Sequence, residues 1–262
     1  MDELKGLHDC LLNLMNEIDK IARENNISYT LMGGSLIGAI RHNGFIPWDD
    51  DMDIGMLYSD YMKFIDVLKN LNHPWITFDY HESKDYEEQF MKVYDKRTTL
   101  KEETNNRVKG VFVDVFPIIP IGNTYKQAKR RFLYDNLLKM TRYNKSNNSH
   151  SSTLKMIIYK FVGIFYTKNG LTKKIQKRRK KLASKDLIYY SDPDGNFKGI
   201  VKKEMFDGFI YHKFEDKEFM IVKNYDKYLT HIFGDYMKLP PENMRHPGHF
   251  EILDLNKSYL ER

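Results

Sequence analysis

The sequence predicts an α+β protein in which strands and helices alternate after a first helix, with further helices towards the C-terminus. Three observations support this: a helical repeat of apolar residues at the N-terminus, short apolar segments that end at turn residues, and a later apolar and then basic stretch. With 262 residues, 41% hydrophobic and 30% charged, the chain can bury a sizeable core, and global disorder is not expected.

The first predicted element is an amphipathic helix between about Leu4 and Asn25. Apolar residues recur there every three or four positions, which places them on one helical face: Leu4, Leu7, Leu11, Leu14, Ile18 and Ile21. The next segment, Ile27 to Met32, is short and apolar and ends at two glycines, as a strand entering a tight turn would. A short helix from Leu36 to His42 follows, and Gly44 then interrupts the helical pattern.

Alternating acidic and apolar residues from Asp51 to Met56 predict a half-buried strand. Ser59 is expected to cap the next helix, which runs to about Leu71. Three further strands are predicted at Trp75 to Tyr80, Phe90 to Tyr94 and Gly110 to Phe116. Later elements are a helix from Thr124 to Asn144, a polar linker from Asn144 to Thr153 and a helix from Tyr225 to Phe233.

The charge balance favours anionic partners. The formal net charge is +6 and the pI is about 9.0, which suits nucleotides, nucleic acid or a phospholipid surface but does not choose among them. Cys10 is the only cysteine, which excludes an intramolecular disulfide and a cysteine-based zinc site. The N-terminus lacks the pattern of a signal peptide, and no apolar run reaches the ~18 residues of a membrane span. We therefore expect a cytoplasmic protein.

Four aspartates fall within five positions, and they predict a metal site: Asp49, Asp50, Asp51 and Asp53. In an extended strand, carboxylates at positions i and i+2 share a face about 6.5 Å apart, so the odd-numbered residues can converge on a cation. Asp114 adds an isolated acid inside an apolar strand, where it is costly to bury without a partner. Oxygen ligands select Mg²⁺ or Mn²⁺.

Gly33, Gly34 and Ser35 lie between a predicted strand and a predicted helix. Backbone N–H groups at such a helix start, together with a hydroxyl, suit a phosphate group. Arg41 follows about two turns later and can add a charge-assisted contact. A phosphate cradle combined with metal-binding carboxylates is typical of phosphoryl or nucleotidyl transfer.

The order Gly34-Ser35, then Asp51-x-Asp53, then Asp114 resembles the nucleotidyltransferase (polymerase-beta-like) signature. More specifically, "GGSLIGAIRHNGFIPWDDDMDIGM" closely resembles the signature of the LicD family of phosphotransferases, and "GVFVDVFPI" resembles its second block. The C-terminal segment "KFEDKEFMIVKNYDKYLTHIFGDYMKLPPENMRHPGH" is similar to a third block. The resemblance spans about residues 5 to 250 and is weakest between Asn144 and Lys203.

The resemblance implies a nucleotidyltransferase-like fold, with a mixed β-sheet core flanked by helices. It implies a catalytic core at 1–145, a basic helical insertion at 146–203 that faces the membrane or the acceptor, and a C-terminal part at 204–262 that completes the catalytic domain. The implied reaction is metal-dependent transfer of phosphorylcholine from CDP-choline to a hydroxyl of a cell-surface glycan precursor, of teichoic acid or lipopolysaccharide type, with release of CMP. Alternatives are transfer of ribitol or glycerol phosphate from a CDP donor, or nucleotidyl transfer from an NTP.

The resemblance also assigns residues. Asp51, Asp53 and Asp114 would be catalytic and, with Asp49, would bind Mg²⁺ or Mn²⁺. Phosphate or nucleotide contacts are expected from Gly33, Gly34, Ser35 and Arg41. Substrate contacts are expected from Trp48, which lies beside the aspartates and suits a quaternary ammonium group. Four residues of the third block are further candidates: Glu215, Asp235, Tyr236 and His249.

The segment from Leu154 to Lys181 allows two interpretations. Apolar aromatic residues precede a basic run that suits an anionic leaflet: Lys173, Lys174, Lys177, Arg178, Arg179, Lys180 and Lys181. A buried helix followed by a solvated basic helix fits equally well. The first interpretation places the protein at the inner face of the cell membrane, where a lipid-linked acceptor would be found. Nucleic acid is a less favoured partner, although the basic run leaves it open.

Overall fold

The computed structural model describes residues 2–102, 107–146, 153–191, 197–246 and 250–261. Its helices are α1 (Asp2–Glu24), α2 (Gly33–His42), α3 (Tyr58–Asn70), α4 (Tyr125–Ser146), α5 (Thr153–Ile164), α6 (Lys168–Ala183) and α7 (Tyr225–Phe233). Its strands are β1 (Thr30–Leu31), β2 (Asp53–Leu57), β3 (Ile76–Asp79), β4 (Met91–Asp95), β5 (Thr99–Glu102), β6 (Val108–Lys109), β7 (Phe112–Gly122), β8 (Tyr189–Ser191), β9 (Ile200–Lys202), β10 (Phe209–Phe214), β11 (Lys217–Val222) and β12 (Phe250–Asp254). The predicted α+β class is confirmed, whereas the nucleotidyltransferase-like fold stays a prediction.

The chain divides into two compact units. The first contains 1–79, 90–117 and 205–262, and the second contains 80–89 and 118–204. The predicted basic insertion at 146–203 lies within the second unit, together with α4. The predicted functional division of the chain stays a prediction.

A sheet with the strand order β1-β2-β7-β4-β3 forms the centre of the first unit. β1 is antiparallel to β2, and β4 is antiparallel to both β7 and β3. The backbone N–H of Asp114 in β7 donates to the carbonyl of Met52 at 3.0 Å, which ties the start of β2 to β7. The two predicted acidic segments are therefore neighbours in one sheet.

Helix α1 supplies one layer of the core, because its apolar stripe is almost fully buried: Leu7, Leu11, Leu14, Ile18 and Ile21. One acid on the same helix is also buried. The Asp19 carboxylate accepts a hydrogen bond of 2.7 Å from the Tyr29 hydroxyl and another of 2.7 Å from Nε of Arg23. Buried carboxylates need such partners, and these two hold α1 against the segment before β1.

Two further sheets of the first unit were not predicted. β10 and β11 form a hairpin, and the Val222 N–H of β11 donates to the Thr30 hydroxyl of β1 at 2.9 Å. β12, β5 and β6 form a three-stranded antiparallel sheet. The hairpin brings the third block of the sequence next to the strand that precedes α2.

The second unit is mainly helical. α4 packs against α5 and α6 around a small core of Leu138, Leu171 and Ile175, and β8 joins β9 to residues 119–122 of β7. The basic run of α6 is not wholly exposed, because Arg179 is buried and donates to the Gln89 carbonyl at 2.7 Å. Among the residues that the structure describes, no helix has the length and apolarity to cross a bilayer.

Several predicted boundaries need correction. The strand predicted at Asp51–Met56 begins at Asp53, and the strand predicted at Gly110–Phe116 spans Phe112–Gly122. α2 begins at Gly33 instead of Leu36, and only Thr30 and Leu31 form a strand within the predicted segment Ile27–Met32. Ser59 is not a cap, because α3 already begins at Tyr58 and the N-cap position falls on Leu57. The predicted linker lies largely outside the described residues, which exclude 147–152.

Candidate active site

The start of α2 and the aspartate-rich loop before β2 are in direct contact. A Cβ atom placed on Gly34 would lie only 2.3 Å from Oδ2 of Asp49, and one placed on Gly33, whose φ is +52°, would lie 3.4 Å from Oδ2 of Asp53. Only glycine can therefore occupy position 34 without displacing the Asp49 carboxylate. The carboxylates lie at the N-terminal end of a helix, where N–H groups without intrahelical partners and the helix dipole favour negative charge.

Ser35 links the start of α2 to the start of β2 through a hydrogen bond. Its side chain is buried, and its hydroxyl accepts the backbone N–H of Asp53 at 2.9 Å. The N–H of Met32 donates to the carbonyl of Asp53 at 3.0 Å. The hydroxyl that the sequence assigned to a phosphate thus already has a structural partner, although a hydroxyl retains one hydrogen to donate.

Three consecutive acids converge in the loop that precedes β2. One carboxylate oxygen from each of Asp49, Asp50 and Asp51 lies within 4.8 Å of the other two. The expected alternation of faces fails here because residues 49–52 precede the strand, which begins at Asp53. Asp50 therefore joins its neighbours although the sequence placed it on the opposite face. Within the described part of the chain, Asp53 and Asp114 are not members of this triplet.

Asp114 lies beside this cluster and has a basic neighbour that the sequence did not reveal. Lys92, opposite Asp114 in the β4–β7 pairing, places its Nζ 3.4 Å from Asp114 Oδ1 and 3.2 Å from Glu102 Oε2. Burial is the main reason that the pKa of Asp114 rises to about 7. The lysine opposes that rise, and the charges of Asp51 and Glu102 reinforce it.

Basic and aromatic side chains lie on another side of the aspartates. The Arg41 guanidinium donates to the carbonyl of Tyr236 at 2.8 Å. Partial burial lowers its pKa, the nearby charge of Arg245 lowers it further, and Asp49 acts in the opposite sense. The Arg245 guanidinium lies 5.4 Å from the centre of the Trp48 ring. The first and third sequence blocks thus meet at one place.

The remaining predicted substrate residues have different positions. Glu215 supports the turn after α2, since its carboxylate accepts the Phe45 N–H at 3.0 Å. The Tyr236 hydroxyl donates to Asp226 at 2.7 Å, and Asp235 is exposed in the turn after α7. His249 lies outside the described residues.

The donor chemistry of the loop fits a hard divalent cation. All three converging ligands are carboxylate oxygens, which suit Mg²⁺ or Mn²⁺ better than zinc or copper. Three like charges at this spacing repel one another, and a bound divalent cation would offset that repulsion. His8 helps to hold the backbone of this loop in place, because its Nε2 lies 2.7 Å from the Asp49 carbonyl oxygen. The His8 ring also stacks on Phe45, with ring centroids 4.1 Å apart.

Comparison with known proteins identifies the family. Residues 26–165, more than half of the chain, match the family model described as LicD/FKTN/FKRP, nucleotidyltransferase domain. The chain is 32% identical to the lipopolysaccharide cholinephosphotransferase LicD of Haemophilus influenzae over 256 residues, which cover 92% of this chain and 93% of that protein. This chain belongs to the LicD family. As a member of the family it is an enzyme, a transferase.

Two further relatives match shorter parts of this LicD-family chain. An uncharacterized protein of Rickettsia prowazekii, RP689, is 27% identical over 51% of this chain and 40% of its own length. The human ribitol 5-phosphate transferase FKRP is 38% identical over 55 residues, which are 20% of this chain and 11% of that protein. The two relatives named as transferases are thus named for different groups, phosphorylcholine and ribitol 5-phosphate.

Proposed function

We propose that this LicD-family enzyme transfers a phospho-alcohol, with phosphorylcholine as the first candidate, from a CDP donor to a hydroxyl of a glycan precursor. The observation that carries the proposal is the contact between the α2 start and the Asp49–Asp51 triplet. This contact brings a helix end that suits a phosphate group next to three carboxylates that suit a cation. A relative that covers nearly the whole chain is named as a cholinephosphotransferase, which supports the choice of phosphorylcholine.

In the proposed reaction, an acceptor hydroxyl oxygen attacks the phosphorus that carries the alcohol. A new P–O bond forms, the bond from that phosphorus to the bridging oxygen breaks, and CMP leaves with the bridging oxygen and its electron pair. The hydroxyl proton passes to solvent or to a carboxylate. Such transfers depend mainly on positioning and charge neutralisation.

The chain's own groups have separate roles in this proposal. Asp49, Asp50 and Asp51 would hold Mg²⁺ or Mn²⁺, with Asp53 and Asp114 beside them. When bound, the cation would offset the negative charge of the donor diphosphate. The first N–H groups of α2 would bind phosphate oxygens. Arg41 and Arg245 bring positive charge to the same place, which suits an anionic donor.

The Trp48 ring is suited to a quaternary ammonium group at the donor's distal end, because such a group binds favourably to an aromatic ring face. The ring lies beside Arg245 at 5.4 Å and contacts His42 edge-on, with centroids 6.2 Å apart. Because Arg245 would repel a second cation, choline would bind the ring face that Arg245 does not cover. A ribitol or glycerol donor would not gain this interaction, so Trp48 is the residue that we propose to test for choline preference.

The acceptor in this proposal is a glycan precursor of lipopolysaccharide or teichoic acid type, attached to a lipid at the inner face of the cell membrane. Supporting this, the relative from Haemophilus influenzae is named for lipopolysaccharide. An enzyme with such an acceptor works next to a bilayer from the cytoplasmic side.

The test is CMP release from CDP-choline, CDP-ribitol and CDP-glycerol with an acceptor glycan, in Mg²⁺, Mn²⁺ or EDTA. We expect metal-dependent CMP release from one donor and a loss of at least about 100-fold in Asp51→Asn. Asp66→Asn, an exposed acid on α3, is the matched control and should keep full activity. Asp51→Asn with wild-type turnover would refute the site. Pyrophosphate released from an NTP, with no CMP from any donor, would favour nucleotidyl transfer instead.

A further inference from the structure

An apolar stripe lies on the outer face of α5, in the second unit. Four of its members fall on the helix and the fifth follows directly: Ile157, Ile158, Phe161, Ile164 and Phe165. Phe161, Ile164 and Phe165 are 61%, 76% and 66% exposed, although side chains of this kind normally bury most of their surface. At 100° per residue the four helical members lie within an arc of about 120°, so they form one continuous face.

The stripe is an ordered surface. The N–H of Phe165 donates to the Val162 carbonyl at 3.2 Å, which continues the chain in a turn after the helix. The rings of Phe161 and Phe165 pack edge to face with centroids 5.4 Å apart. Gly163, on the opposite side of α5, is buried, and α5 packs against α4. The helix is therefore amphipathic with its apolar face turned outward.

Two lysines flank the stripe, one beyond each edge. Lys155 falls about 60° beyond one edge of the apolar arc and Lys160 about 40° beyond the other, and both are exposed. Lysines in this position can keep their charge at a membrane surface while their stems lie along the acyl boundary. The pattern matches a helix that lies in the plane of a membrane interface.

The charge around the stripe decides between possible occupants. Between Asn136 and Lys185 the sequence has fourteen lysines and arginines and no aspartate or glutamate. Arg142 and Arg179 are buried, whereas seven of the lysines are exposed: Lys155, Lys160, Lys173, Lys177, Lys180, Lys181 and Lys185. A second copy of this chain would bring two such basic surfaces together, whereas an anionic lipid surface complements both the charge and the apolar face. We infer that α5 and the adjoining Phe165 dock on an anionic phospholipid bilayer, with the stripe inserted among the headgroups.

Flotation with vesicles tests this inference. Wild-type protein is mixed with vesicles of phosphatidylcholine containing 30% phosphatidylglycerol, and with vesicles of phosphatidylcholine alone. We expect flotation with the anionic vesicles at low salt, and much less with neutral vesicles or in 1 M salt, which screens charge within about 3 Å. Absence of wild-type flotation with anionic vesicles would overturn the inference.

Two variants separate the apolar and ionic contributions. Phe161→Ser combined with Phe165→Ser should lower the partition coefficient about 100-fold, because two large apolar side chains no longer enter the bilayer. Lys155→Gln combined with Lys160→Gln should lower it about 10-fold or more on anionic vesicles only. Leu260→Ser, an exposed apolar position in the first unit at 65% exposure, should change it less than 2-fold.

Other outcomes have defined meanings. Flotation of the double serine variant at the wild-type level would overturn the inference. If wild-type protein without lipid sediments as a dimer that this variant converts to monomer, the stripe belongs to a second copy and the inference is again overturned. The variant should release CMP normally with a soluble acceptor, so a failure of docking is distinguishable from a failure of the proposed chemistry.

Discussion

Asp114→Asn is expected to stabilise the protein at alkaline pH when divalent metal is removed, although it removes a residue assigned to the active site. The Asp114 side chain is only 16% exposed, and its pKa rises from 3.8 to about 7, mainly through burial. Between pH 3.8 and about pH 7, this carboxyl is therefore mostly protonated in the folded state and mostly ionised in the unfolded state. Folding stability must fall as pH rises through this interval.

The size of the effect follows from the two pKa values. Each pH unit within the interval corresponds to 1.36 kcal/mol, so raising the pH from 5 to 8 should cost the wild-type protein roughly 3 kcal/mol through this group. The asparagine side chain does not ionise in this pH range, so this loss of stability is absent in the variant. Lys92 keeps a partner in Glu102, 3.2 Å away, and its charge is not left unpaired by the substitution.

The assay is thermal unfolding of wild-type and Asp114→Asn protein in EDTA at pH 5 and pH 8. All other titrating groups are shared, so the difference between the two proteins reports this carboxyl and its charge interactions with Lys92, Glu102 and Asp51. The melting temperature of the variant relative to wild type should rise by roughly 6–12 °C between the two pH values. Addition of Mn²⁺ at pH 8 should stabilise the wild type more than the variant. A difference between the proteins that does not change with pH would refute the reasoning.

Substitutions at four other positions test the geometry around the site. Gly34→Ala should reduce CMP release at least about 10-fold and weaken Mn²⁺ binding, because its Cβ would lie 2.3 Å from Asp49 Oδ2; unchanged metal affinity in calorimetry would contradict this. Glu215→Ala should lower the free energy of unfolding by about 1–2 kcal/mol in denaturant unfolding, because the Phe45 N–H loses its acceptor. Glu215→Gln should retain both stability and turnover. An inactive but folded glutamine variant would instead indicate a chemical role for Glu215. Arg245→Gln should raise KM for the CDP donor several-fold with little change in kcat, and Trp48→Leu should do so for CDP-choline but not CDP-ribitol. Equal effects of Trp48→Leu on both donors would remove the choline assignment.

Local patterns in the sequence predicted the first unit's helices and most of its central strands. The apolar repeat of α1 required only local periodicity, and the strand containing Asp114 was evident from its apolar neighbours. The sheet β12-β5-β6 was not predicted because β12 and β5 are far apart in sequence, with Phe250 paired to Glu102. The hairpin β10–β11 is local, since Phe214 pairs with Lys217, but its segment was interpreted only through its resemblance to the third block, and its position next to β1 depends on a distant contact. Val222 reaches Thr30 across 192 positions, and no local pattern specifies such a contact.

The candidate site was predicted in composition but not in all its contacts. The aspartates, the glycines and Arg41 were identified from motif and residue chemistry. Lys92 was missed because it reads as an ordinary strand lysine, and only the β4–β7 register places it opposite Asp114. Asp50 was excluded because the loop was treated as an extended strand, in which neighbouring side chains point apart. The aspartates at 49–51 converge because the regular strand begins later.

The glycines and the aspartates are separated in the sequence but are in direct contact in the structure. Gly34 can be close to Asp49 only because it lacks a Cβ atom, and Ser35 fixes the backbone of Asp53 through its buried hydroxyl. The helix end and the acidic loop are thus joined by a close contact and a hydrogen bond, which would help to keep a bound phosphate and a bound cation at a constant separation. Transfer of a phosphoryl group depends strongly on such positioning. The glycine pair is thus as much a part of the proposed cation site as the carboxylates that would bind the ion.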